Sequence, residues 1–230
     1  MINIEKNYND YFRFLKAYVK RDGIDYLTQW LESSDIKISP ASTKYHLSCE
    51  GGLIAHSLQV FYNLIALIEN NKAKYPVLGN YSKETIAIVA LLHDIGKVNT
   101  YKTIMKNVKD DTTGKWEQIK SYALKDETER LIYSQHQENA IFIINQFMKL
   151  GYEEALAIRY HMGTTEETDN FASTRTIAAF KTSPLAFYLH IADMQAMLLD
   201  EGTNDFNIWV EPVKEENEQS SEQSDKSVNS

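Results

Sequence analysis

One cysteine and four prolines in 230 residues leave the chain almost without covalent or conformational staples. With only Cys49, neither an internal disulfide nor a CxxC zinc site can form, and the thiol is read as incidental. No stretch reaches the roughly eighteen uninterrupted apolar residues of a membrane-spanning helix. The opening residues MINIEKNYNDYF carry charge and lack the apolar core of a secretory signal, so a soluble, cytoplasmic protein with no membrane partner is expected. A basic excess is missing as well. With 24 Lys and Arg against 32 Asp and Glu, the formal charge is −8, which excludes the electrostatic footprint of stable duplex nucleic-acid binding. A nucleotide substrate is not excluded, because a bound cation can supply local positive charge.

What remains is ordinary globular material, 43% hydrophobic and 24% charged, enough for one domain over residues 1–210. Apolar steps of three and four residues read as helices over Tyr8–Arg21, Ile24–Leu31, Leu53–Ile68, Ala140–Leu150, Glu153–Tyr160 and Leu185–Leu199. Ser82 is a candidate N-cap for a further helix through IAIVALLHDI, apolar on nearly every side. Ser34–Glu50 reads as a loop that delivers the chain into the helix after Gly51-Gly52, and Met162–Thr174 as a second loop. Between Thr100 and Lys125 the texture changes to alternation broken by KDDTTG, the pattern of a β-hairpin. Residues 211–230, EPVKEENEQSSEQSDKSVNS, hold almost no large apolar side chain and read as a disordered acidic tail. The fold class is therefore all-α: a helical bundle with a small β-hairpin insertion.

Four of the six histidines stand at the ends of apolar stretches: His56, His93, His136 and His161. His93-Asp94 closes the most apolar helix, and an imidazole beside an ionised carboxylate at a buried helix end is costly without compensation. Asp193 sits among apolar neighbours in SPLAFYLHIADMQAMLL and poses the same demand. A divalent cation answers both. Histidine and aspartate without cysteine suit one or two ions of Mn, Fe, Co, Ni, Zn or Mg, with manganese the first choice. His46 and His190 are read as satisfied core or surface residues.

The segments GGLIAHSLQV, LLHDIGK and HIAD, in that order, resemble the H…HD…D signature of the HD-domain metal-dependent phosphohydrolases. The resemblance spans about residues 40 to 200 and implies an all-helical core in which His56, His93, Asp94 and Asp193 converge on metal. The first two segments are also similar to the HD domain attached to certain bacterial 3′–5′ exoribonucleases, in which further histidines follow. His136 and His161 fall in those places, which implies a second ion with Asp94 bridging the pair. Ser134–Glu138 departs from the small residues common around the third histidine, and the first fifty residues offer no counterpart of the exoribonuclease's nucleic-acid-binding domain. STKYHLSCEGG, KWEQIKSY and AIRYHMG resemble small stand-alone HD proteins of phage and bacteria.

The expected activity is hydrolysis of a phosphoester in a nucleotide or short oligonucleotide, by a phosphodiesterase or nucleotidase, on a metal-activated water. Asp94 and Lys97 are the candidate catalytic residues. Lys97 and Arg159 are candidate phosphate contacts, one as a point charge and the other as a fork, unless solvated at the surface. Tyr45, with Lys44, His46 and Trp116, offers ring faces for a base or else packs its loop. Glu138 reads either as a contact behind the metal or as an exposed helical glutamate. The competing class is a silent nucleotide-binding sensor or interaction module that keeps the fold without turnover. The N-terminal helix pair offers a surface for a homodimer or simply packs on the core.

Overall fold

A computed structural model describes residues 2–110, 112–130, 135–164 and 172–201. Among these residues the chain forms eight α-helices and one two-stranded antiparallel sheet. Helix α1 (Ile4–Tyr18) starts where the Asn3 side chain accepts from the Lys6 amide, and its buried stripe is Tyr11, Phe12 and Leu15. Helix α2 (Ile24–Glu32) follows Gly23, whose positive φ of 93° reverses the chain.

The central element is α3 (Gly52–Asn71). By length and composition it could cross a membrane, but 61% of its apolar window is buried inside the fold, where it packs against α1, α4 and α8. Helix α4 (Lys83–Leu92) begins as its sequence indicates, with Ser82 Oγ accepting from the Thr85 amide at 3.0 Å. Every residue from Ile86 to Leu92 is buried, so α4 is clothed on all sides and delivers His93-Asp94 into the interior. A single 3₁₀ turn, Ile95–Lys97, then turns the chain out.

The hairpin comprises β1 (Tyr101–Lys109) and β2 (Trp116–Leu124). It is paired from Tyr101↔Leu124 at its base to Lys109↔Trp116 at its tip, with Asp110 accepting from the Thr112 and Thr113 amides in the turn. The remaining helices are α5 (His136–Phe147), α6 (Tyr152–Tyr160), α7 (Ala172–Thr182) and α8 (Pro184–Gln195). After α8 the winding widens into one π turn, Ala196–Asp200.

Two departures from the sequence reading have local causes. Helix α7 is absent from that reading because, among its residues whose burial is described, only Thr176 and Ala179 are buried, a stripe too small and polar to register as periodic. Helix α5 starts at His136 rather than Ala140 because its first turn, HQEN, is polar yet packed. Of the expected loop Met162–Thr174, residues 165–171 lie outside the described residues, as does the expected tail 211–230, while Ala172–Thr174 are helical.

Candidate metal centre

Five elements deliver six side chains to one buried point. His56 comes from the second turn of α3, His93 and Asp94 from the end of α4, His136 from the first residue of α5, His161 from the end of α6 and Asp193 from α8. His56, His93, Asp94, His161 and Asp193 are all at most 6% exposed.

Asp94 is the centre of the cluster. Its Oδ2 faces His93 Nε2 at 3.6 Å and His56 Nε2 at 3.7 Å, while its Oδ1 faces His136 Nε2 at 3.1 Å and His161 Nε2 at 3.5 Å. Two triads of potential ligand atoms result, His56–His93–Asp94 and Asp94–His136–His161, and Asp94 belongs to both. Asp193 joins the first side, with Oδ1 at 2.9 Å from His56 Nε2 and 3.9 Å from His93 Nε2.

The backbone aims the rings. His93 Nδ1 donates to the Ala90 carbonyl and His161 Nδ1 to the Ile158 carbonyl, each at 2.8 Å, so their Nε2 atoms point inward. His190 Nδ1 donates to the His161 carbonyl at 2.6 Å and braces that turn. The Tyr11 hydroxyl donates to the Leu91 carbonyl at 2.8 Å and ties α1 to the end of α4.

The donor set fits divalent cations on its own chemistry. Nε2 atoms of His56 and His93 approach to 3.3 Å, as do those of His136 and His161, and Asp94 Oδ1 is buried without a hydrogen-bond partner. Inward-facing imidazole nitrogens at that spacing around a bare carboxylate oxygen are stabilised by positive charge between them.

Protonation follows from the same crowding. Burial alone would lower His56, but its hydrogen bonds to Asp193 and Glu201 win and lift it to about 10. Burial and the neighbouring histidines push His93 down to about 3, against the pull of Asp94. Asp94 and Asp193 are held below the usual carboxylate range although burial opposes ionisation, Asp94 chiefly by Lys97 and Asp193 chiefly by His56. Burial and Lys97 lower His136. His161 is raised, because contact with Asp94 outweighs burial.

Lys97 is 8% exposed and sets Nζ 2.7 Å from Asp94 Oδ2, which overturns the surface alternative considered for it. Arg159 is not aimed at the cluster as a free fork. Its Nε pairs with Glu138 Oε1 at 2.7 Å, and the guanidinium lies 5.1 Å from the Tyr160 ring centroid, so Arg159 and Glu138 brace α6 against α5 beside the two histidines they flank. Tyr45 turns its ring to solvent, 77% exposed, and Trp116 stands at the hairpin tip, 70% exposed. Lys44 is exposed beside Tyr45.

His46, read from the sequence as a satisfied core or surface residue or as a ring face for a base, is buried against His56 with ring centroids 4.8 Å apart, and neither of its ring nitrogens has a hydrogen-bond partner. Its position is fixed by Gly52: a Cβ there would meet the Leu47 carbonyl at 2.1 Å, so only glycine lets the loop fold so closely over the start of α3. Two further residues went unnoticed. Glu201 accepts from His56 Nδ1 at 2.7 Å. Arg130 lines a cleft of about 360 Å³ between the hairpin base and α5, with Tyr101, Leu124, Gln135 and His136. A second cleft of about 400 Å³ lies behind His56 rather than over the cluster, lined by Lys6, Gln59, Asp200 and Glu201 among others. No local signal marks either residue, since both reach the site only through the folded chain.

The family model described as HD domain matches residues 53–198, more than half of the chain. No curated protein and no solved structure matches it.

Proposed function

The chain belongs to the HD-domain family of metal-dependent phosphohydrolases, and on that premise we propose that it hydrolyses a phosphoester in a nucleotide or short oligonucleotide, with two divalent ions held by His56, His93, Asp94, His136, His161 and Asp193. The observation that carries this reading is the two-sided Asp94 carboxylate, with a pair of imidazole nitrogens facing each oxygen. Ions bound there would offset charge on the phosphoryl oxygens and supply an ionised water near neutral pH.

The chain's own residues supply the rest. Lys97 sets its Nζ 2.7 Å from Asp94 Oδ2 at the edge of the cluster, where its ammonium would reach a phosphate oxygen of a substrate held there. Arg130, whose Nε donates to the Lys125 carbonyl at 3.2 Å, lines the same cleft as His136 and would offer its guanidinium to a phosphate bound there. Burial of the cluster keeps competing water away and strengthens each of these electrostatic contacts. The cleft has room for a nucleotide-sized group. A cytoplasmic setting, manganese as the working ion and a free nucleotide as partner are parts of the same proposal.

The test is ion content of protein purified without chelator, beside Asp94→Ala, with phosphate release from a panel of nucleotides and dinucleotides under Mn²⁺. About two equivalents in the wild type, lost in the variant together with diester cleavage, is the expected result. One equivalent with monophosphate or triphosphate turnover points to a nucleotidase, and neither ions nor turnover overturns the enzyme reading.

A further inference from the structure

Helix α8 and the residue that ends the π turn after it present two carboxylates to one imidazole. Asp193 meets His56 Nε2 at 2.9 Å, and Glu201 meets His56 Nδ1 at 2.7 Å. Two turns along an uninterrupted α-helix the residue nearest the direction of Asp193 is Asp200, seven positions on, while Glu201, eight positions on, would be turned about 80° aside. The π turn Ala196–Asp200 adds one residue to the winding, with the Glu201 amide bonded to the Ala196 carbonyl at 3.0 Å, so Glu201 takes that place. Asp200 is carried aside to α3, where it accepts from Asn63 Nδ2 at 2.7 Å and Gln59 Nε2 at 3.2 Å. Such π turns are uncommon and gather at functional sites.

The Glu201 side chain is only 4% exposed, and a carboxylate buried to that degree needs a matched donor. His56 is that donor for Oε1. Oε2 is buried without a hydrogen-bond partner, 3.9 Å from His46 Nε2. A carboxylate behind a ring whose other nitrogen faces a metal cluster fixes the tautomer, holds the ring plane and raises the basicity of the facing nitrogen.

We propose that Glu201 is a positioning residue for His56: it accepts the Nδ1–H and thereby commits Nε2 to the ion on the Asp193 side. The inference rests on the metal reading of the cluster and extends it to a residue beyond the reach of the motif. Nothing in it requires Glu201 to touch substrate.

The experiment uses the full chain with Glu201→Ala, Glu201→Gln and His46→Ala. Mn²⁺ affinity is measured by competition with a fluorescent chelator, ion content by elemental analysis, and the His56 ring by long-range ¹H–¹⁵N spectra of the Zn²⁺-loaded protein. Glu201→Ala is expected to weaken ion binding by about 10- to 100-fold and to lose a downfield His56 Nδ1–H resonance. Glu201→Gln, which keeps an oxygen acceptor, should recover part of both, and it carries the test alone if the alanine variant does not fold. Unchanged affinity with an unchanged His56 ring in both Glu201 variants overturns the inference. So does loss of a whole ion from both His46→Ala and Glu201→Ala, because Glu201 would then be a ligand of its own site with His46. A wild type that takes up no ion removes the metal reading and the inference with it, whereas intact binding in the variants removes the inference alone.

Discussion

Gly96 lies against the backbone of His136, so closely that a Cβ on Gly96 would sit 1.9 Å from the His136 carbonyl oxygen and 2.8 Å from the Ala140 amide nitrogen. The turn carrying Asp94 and the first turn of α5 are thus seated on each other at a point where no side chain fits. Gly96→Ala is expected to push α5 outward, cost roughly 1–3 kcal/mol and remove the His136 side of the cluster first. Ion content near one equivalent beside a lowered melting temperature is the result to look for, and two retained equivalents would contradict it.

Lys97 and the proposed ions compete for the same carboxylate. In chelator-treated protein, Lys97→Met leaves Asp94 buried without its cation and should cost about 3–5 kcal/mol. Added Mn²⁺ should restore most of that loss while turnover stays low. Melting curves in chelator and in Mn²⁺ separate the two states, and equal destabilisation in both would show that ions do not take over the Lys97 contact.

Arg21 joins the start of α2 to α6 by a forked contact with Glu154, at 2.6 and 2.9 Å. Although burial opposes ionisation, Arg21, the Gly151 amide and Thr85 hold Glu154 below its ordinary 4.5. A depressed folded value means that the carboxylate contributes stability above 4.5 and loses it as pH falls through the folded value. Glu154→Gln should therefore lower stability at pH 7, by about 1 kcal/mol for a part-buried pair, with the gap from wild type closing at acid pH below 4.5. Urea midpoints from pH 7 to pH 3 report this, and a constant gap would rule it out.

Arg130 is predicted to act on substrate alone. Arg130→Ala should lower kcat/KM by roughly 10- to 100-fold, the worth of a charged hydrogen bond of about 1.5–3 kcal/mol, with ion content unchanged. A fall in ion content would instead place its role in holding α5.

Most of the cluster is legible in the sequence because its residues sit where apolar stretches end in polar ones: His56 after Gly51-Gly52, His93-Asp94 after IAIVALL, Asp193 inside an apolar helix. The helices α3, α4, α6 and α8 that carry most of them are legible from their apolar runs, whereas the polar first turn of α5, which holds His136, is not. What escapes is geometry that depends on tertiary approach. Lys97 is buried with its ammonium on Asp94, a contact that depends on where the turn after α4 is packed, and Arg159 pairs with Glu138 across α6 and α5. Glu201 follows from a change of winding that periodicity does not encode. His46 looked like a loop residue because its burial depends on Gly52 admitting the backbone of Leu47.

The six groups of the cluster arise from positions 56 to 193, and no single element carries more than two of them. An unfolded chain therefore offers an ion little to grip, while the folded chain offers everything at once. Metal uptake would then act as a clasp on the whole topology. Ions at a hundred times their dissociation constant would add about 2.7 kcal/mol per site to the folding equilibrium, spread across five elements at once. Metal supply in the surroundings would set how long the molecule survives as well as how fast it works.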